Sequence, residues 1–170
     1  ALLERRVDAL VFVMTHPTDE VIQEAGRISV PIILIQRFMK TSEFGYLYVD
    51  DYRIGFLSTT HLIMHGCKHI AHITRHETRF RDYPAELRKQ GYVDALLRAS
   101  LPVEEDMIVQ GDIGASTEAE GYIAMKRLLH ARPDVDGVAV FNDLMAIGAY
   151  RAISEFGRKI PDDIRIVAVD

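Results

Sequence analysis

The fold class this sequence predicts is α/β with parallel sheets. Two observations carry that prediction: short apolar runs such as VDALVFVM (7–14) and PIILI (31–35), and capped helical stretches that separate one run from the next along the whole chain. Runs without polar interruption are expected to be strands buried on both faces, as in a parallel sheet covered by crossover helices.

The first strand, Val7 to Met14, is broken at Pro17. Thr18 offers a helix cap, Asp19 and Glu20 place negative charge at the helix start, and Val21, Ile22, Ala25 and Ile28 form the apolar stripe. A second strand, Pro31 to Ile35, completes a strand-helix-strand unit with short joints. The pattern weakens from Phe38 to Asp51, which sets the expected boundary between residues 1–48 and 49–170. After YLYV, the carboxylates of Asp50 and Asp51 stand at a helix entrance, and Gly66 has the position of a C-terminal stop. The alternation then runs strand His69–Thr74, helix Pro84–Ala99, strand Met107–Val109, helix from Ser116 or Thr117 to His130, strand Gly137–Phe141, helix Asp143–Phe156 and strand Ile164–Val169. Thr117 and Glu120 have the spacing of a capping box. A ligand is expected in the crevice beside the carboxyl ends of the strands.

Composition narrows the function. The 170 residues are 48% hydrophobic and 26% charged, which suits a globular domain and excludes a disordered tail. The single cysteine, Cys67, cannot form an intrachain disulfide and fits a reducing compartment. The net charge of −5 gives no global cationic field, so the chain by itself is expected not to bind duplex DNA. No apolar run approaches the roughly 20 residues of a membrane helix, and the opening ALLERRVDALVF reads as cut from something longer. No dinucleotide fingerprint, P-loop, zincin or nucleophile-elbow motif is present, so neither an enzyme nor a cofactor is predicted.

Gln36, Arg37, Arg75, Asn142, Asp143 and Asp170 fall at carboxyl ends of the predicted strands. At Asn142–Asp143 two readings stay open: a helix cap, at Asp143, and a ligand reader, at Asn142, whose amide both donates and accepts. Arg88, in LRKQGYVDAL, is either part of a solvated charged face with Arg81, Lys89 and Arg98, or a forked donor working with the acceptor Asp170 on adjacent hydroxyls. In the second reading it is wetted and matters little to folding. HGCKHIAHITRH gathers His65, Cys67, His69, His72 and His76, but their spacing does not converge on a metal. These histidines read as polar decoration of a strand and its loops.

The blocks LLERRVDALVF, VPIILIQR, VDDYRIGFLSTTHLIMHGCKHIAHI, ELRKQGYVDALL, VQGD and FNDLMAIGAYRAISEFGRKIPDDIRIVAVD, in this order, resemble the effector-binding core of LacI/GalR bacterial transcriptional regulators. That core is similar to the periplasmic sugar-binding proteins. The resemblance implies a periplasmic-binding-protein-like type I fold of two Rossmann-like lobes, with 1–48 an incomplete first lobe and 49–170 the second. It implies a cytoplasmic, non-enzymatic sensor of a sugar or nucleobase-like metabolite, a homodimer, and operator binding through a helix-turn-helix that this chain lacks. A periplasmic solute-binding protein of an ABC transporter is the alternative. Arg88, Asn142 and Asp170 match effector-contacting positions of the family. Gln36 stands where the family usually has Asp or Asn, and Ile113 where an aromatic ring often covers the ligand.

Overall fold

The computed structural model describes residues 7–13, 17–35, 44–75, 83–111 and 116–169. The chain divides into two compact units, Ala1–Asp50 and Asp51–Asp170.

The first unit contains β1 (Leu10–Val13), α1 (Asp19–Arg27), β2 (Ile32–Ile35) and β3 (Gly45–Leu47). Its strands are parallel in the order β1-β2-β3, with Leu10 opposite Ile32 and Ile33 opposite Gly45. Thr18 caps α1 as its composition dictates, accepting a hydrogen bond from Val21 N at 3.4 Å. Leu10, Ile32 and Leu34 pack with Ala25 of α1 on one face of the sheet. The expected two-faced burial of the first strand is corrected here, because Val11 and Val13 are 54% and 56% exposed. Among the described residues α1 is the only helix of this unit, and one helix covers one face.

The second unit runs α2 (Asp51–Met64), β4 (Ile70–Thr74), α3 (Tyr83–Arg98), β5 (Ile108–Gln110), α4 (Glu118–Ala131), β6 (Gly137–Val140), α5 (Asp143–Glu155) and β7 (Arg165–Ala168). A short 3-10 turn, Glu105–Met107, leads into β5. All four strands are parallel, in the order β5-β4-β6-β7, and β4 therefore lies in a different sheet from β2. The period of two sorts their side chains. Ala71, Ile73, Val138 and Val140 join the core formed with α4 and α5, while Ile70 and Ala139 join Leu62, Tyr92 and Leu96 of α2 and α3. Both faces are covered, so these strands are the continuous apolar runs that the sequence displays.

Glycines set the helix separations. A Cβ on Gly55 of α2 would stand 2.0 Å from the Arg88 carbonyl oxygen of α3, and one on Gly91 would stand 2.1 Å from the Tyr52 carbonyl oxygen. The α4/α5 pair repeats the device: Gly121 meets the Met145 carbonyl oxygen at 2.0 Å and Gly148 that of Glu118 at 1.9 Å. Each pair is in backbone-to-backbone contact that no larger residue permits.

The amino ends of the strands are tied by charge. Arg132 donates to Asp134 from Nε and Nη2, to Asp106 from Nη1 and to Glu104 from Nη2, at 2.8 to 3.0 Å. The guanidinium holds the Asp134 carboxyl down to about 2. Asp136 accepts from the backbone N–H groups of Lys68 and His69, fixing the entry to β4.

His72, read from the sequence as polar decoration of a strand, is part of the packed interior. It is 2% exposed in the middle of β4, its ring stacked on Tyr92 at 5.3 Å. Nδ1 donates to the Ala139 carbonyl at 3.0 Å, which leaves Nε2 buried and without a hydrogen-bond partner among the described residues. Burial, against the opposing effect of that hydrogen bond, lowers its pKa to about 4, and the nearby cations Arg88 and Lys89 act in the same direction.

Candidate functional site

In this sheet the connection from β4 leads outward to β5, and the connection from β5 returns across β4 to β6. The order thus reverses between β4 and β6, and their carboxyl ends flank the switch point where open parallel sheets leave a crevice. Thr74 and Arg75 end β4 there, and Phe141 and Asn142 follow β6. The Phe141 N–H donates to the Ile73 carbonyl at 2.8 Å, keeping the two strand ends in register.

Arg88 reaches this edge from α3 because Gly55 admits the α3 backbone against α2. Its Nε donates to Asp51 Oδ1 at 2.8 Å, and Asp51 lies one helical turn before Gly55. Nη1 donates to the carbonyl oxygens of Phe141 and, at 3.1 Å, of Val169. The guanidinium also lies over the Phe141 ring, 4.6 Å from its centroid, and that of Arg75 lies 5.3 Å from the same ring. One side chain therefore joins the start of α2 to the ends of β6 and β7. Nη2 has no hydrogen-bond partner among the described residues and is left for an acceptor.

The expectation that Arg88 is wetted is corrected. Its side chain is 13% exposed and that of Asp51 is 15% exposed, so removing the guanidinium would leave a mostly buried carboxylate without its partner.

Asn142, and not Asp143, is the N-cap of α5. Its extended backbone (φ −148°, ψ 174°) lets Oδ1 accept from Met145 N at 2.9 Å. Nδ2 donates to the Ser116 carbonyl at 3.3 Å, tying the approach to α4 to the end of β6. Asp143 instead supplies negative charge in the first turn. Substituting Asn142→Ala should cost about 1 kcal/mol in urea unfolding, whereas Asn142→Asp, which keeps the capping oxygen, should restore most of it. Equal losses in the two variants would mean that the amide's bond to Ser116, and not the cap, matters.

The structure thus brings Arg88 and Asn142 to the same strand end. Gln36, Ile113 and Asp170 lie outside the described residues. The sequence reading missed Asp51 as the partner of Arg88 and Phe141 as its platform. It also missed Thr74 and Ser116, whose side-chain oxygens are buried and have no hydrogen-bond partner among the described residues. The paired glycines at Gly55 and Gly91, inside two predicted helices, were the available signal for Asp51, since such glycines mark close helix crossings. Among the described residues no group of three or more His, Cys, Asp or Glu could hold a metal ion, and no helix is long and apolar enough to cross a membrane.

A parallel sheet covered by helices on both faces, with polar groups gathered at its carboxyl edge, is the architecture of ligand-binding α/β domains. The chain belongs to the periplasmic binding protein-like domain family, whose profile matches residues 59–170. Its resemblance to LacI-type regulators is borne out. It is 32% identical to the HTH-type transcriptional regulator CelR of Thermobifida fusca over 171 residues, covering 99% of this chain and 48% of that protein. Among solved structures, a complex of CelR with cellobiose is similar at TM-score 0.77 and 31% identity, covering 98% of this chain and 50% of that one. A sugar-binding transcriptional regulator of the LacI family from Escherichia coli, complexed with phosphate, is similar at TM-score 0.81 and 26% identity, covering 99% and 59%. The chain spans about half the length of the curated relatives it matches.

Proposed function

We propose that this chain is the metabolite-sensing core of a cytoplasmic, non-enzymatic LacI/GalR-like transcriptional regulator, usually a repressor, with a sugar or related polyol as effector. The observation that carries the reading is the Arg88 guanidinium, held by Asp51 and two strand-end carbonyls with Nη2 open at the switch point. A guanidinium held at Nε and Nη1 presents Nη2 to a ligand oxygen in one fixed direction, which a mobile surface arginine cannot do. Asn142, Asp170 and Gln36 complete the polar set, and Ile113 would cover the ligand with an aliphatic surface. The cellobiose complex of CelR supports a sugar, and the regulators named among the relatives favour this reading over a periplasmic solute-binding protein.

Operator contact would belong to a helix-turn-helix outside these residues, and the effector would act by binding one state of the attached homodimer more tightly than another. An apolar stripe on α5, with Leu144, Ile147 and Tyr150 at 56%, 55% and 56% exposure, supports a protein partner such as a second copy.

The test is calorimetric titration of the full-length protein with cellobiose, other sugars and purine bases. A sugar should bind, and Arg88→Lys, which keeps a positive charge beside Asp51 but loses the oriented Nη2 donor, should weaken it by roughly tenfold to a hundredfold. Asp170→Asn should act in the same direction. A folded Arg88→Lys variant with wild-type affinity would remove Arg88 from the site, and binding of a purine base alone would replace the sugar.

A further inference from the structure

The last turn of α2 carries a group of donors that the sensing site does not use. His65 N donates to the His61 carbonyl at 3.1 Å, so helical geometry continues through His65 and stacks the two histidines one turn apart. Their ring centroids are 4.2 Å apart, and both residues are exposed. His65 Nδ1 also donates to the His61 carbonyl, at 2.8 Å, which fixes Nε2 as the nitrogen with a free lone pair. Metal-binding imidazoles are typically held in this way, by an outward N–H bond to a backbone carbonyl that sets tautomer and orientation. Met64 lies three residues from His61 on the same side of the helix and is 78% exposed, a thioether standing in solvent with little packing to do. Gly66, at φ +89°, then turns the chain away.

We infer that His61, Met64 and His65 form a surface binding site for copper(I), with the two Nε2 atoms and the Met64 Sδ as ligands. The imidazoles are borderline donors that several metals accept, and the added soft thioether favours copper(I) over zinc and the hard divalent cations. The ion binds in that oxidation state and no redox step is involved. Cys67, two residues further on, is 3% exposed, and burial raises its thiol pKa, so it is not the ligand.

The experiment is anaerobic competition for copper(I) between the purified chain and the chromogenic chelator bicinchoninate. The wild type should retain one equivalent. His61→Gln and His65→Gln should each weaken retention by about tenfold or more, with unchanged circular dichroism because both side chains are exposed. Met64→Leu should weaken copper(I) while leaving nickel(II), which the imidazole pair alone can hold, unchanged. Cys67→Ala should bind as wild type. Failure to retain copper(I), retention that survives either histidine substitution, wild-type affinity in Met64→Leu, or loss in Cys67→Ala would each overturn the assignment.

Discussion

Gly148→Ala should lower the stability of the protein by about 3 kcal/mol or more, read as a fall in the urea midpoint. An alanine in a helix interior ordinarily stabilises by about 0.5–1 kcal/mol relative to glycine. Here the added methyl would sit 1.9 Å from the Glu118 carbonyl oxygen, and that atom belongs to a neighbouring backbone that cannot rotate aside. The α4 and α5 helices must separate, and the side chains packed between them lose contact along the whole crossing. Gly55→Ala should cost a similar amount, and it should also draw Arg88 away from Asp51, because the clash falls on the Arg88 carbonyl itself. Gly26→Ala is the control: it lies in α1 with nothing within 4 Å of the added methyl, and should be neutral or stabilising. Loss in all three variants would show that helix glycines act here through something other than close approach.

The second large effect is on pH. His72 titrates at about 4 in the folded chain, against 6.5 for the free imidazole. Between those values the unfolded chain binds the proton and the folded chain does not, so stability drains towards the unfolded state as pH falls. The contribution is fully present above about pH 6.5 and should decline by up to about 3 kcal/mol as pH drops to 4. His72→Asn, whose amide can still donate to the Ala139 carbonyl, should flatten this part of the stability curve while carboxylate effects at lower pH remain. Parallel curves for wild type and variant would show that the imidazole stays neutral in both states or charges freely in the fold.

How much of this was legible in the sequence follows from what each feature depends on. The strands β4, β6 and β7 and the helices between them are local patterns, and their boundaries fall within a residue or two of those expected. The caps at Thr18 and Thr117 were legible for the same reason. The α5 cap was displaced by one residue because Asn and Asp both cap well, and only the extended backbone of Asn142 decides between them. Burial is less legible: VDALVFVM has the composition of a two-faced strand, yet Val11 and Val13 are exposed because covering a face takes a second layer, which a single strand's composition cannot report. The Arg88–Asp51 pair, 37 residues apart, exists only through a helix crossing. His72 reads in the sequence as one of several histidines decorating a strand and its loops, and its burial depends on α3 bringing Tyr92 against the sheet.

The two edges of the second sheet differ in how freely they can change. At the amino edge every nitrogen of the Arg132 guanidinium is bonded to a carboxylate, so a substitution there breaks a closed set of partners. At the carboxyl edge Arg88 Nη2 and the side-chain oxygens of Thr74 and Ser116 have hydrogen-bonding capacity that no described residue uses. A single change at Thr74 or Ser116 therefore breaks no side-chain hydrogen bond to a described residue, whereas a change at Arg132 breaks four. The carboxyl edge thus sets groups that hold the frame, Arg88 and Asn142, beside hydroxyls that hold no described partner, while the amino edge has only the first kind around Arg132.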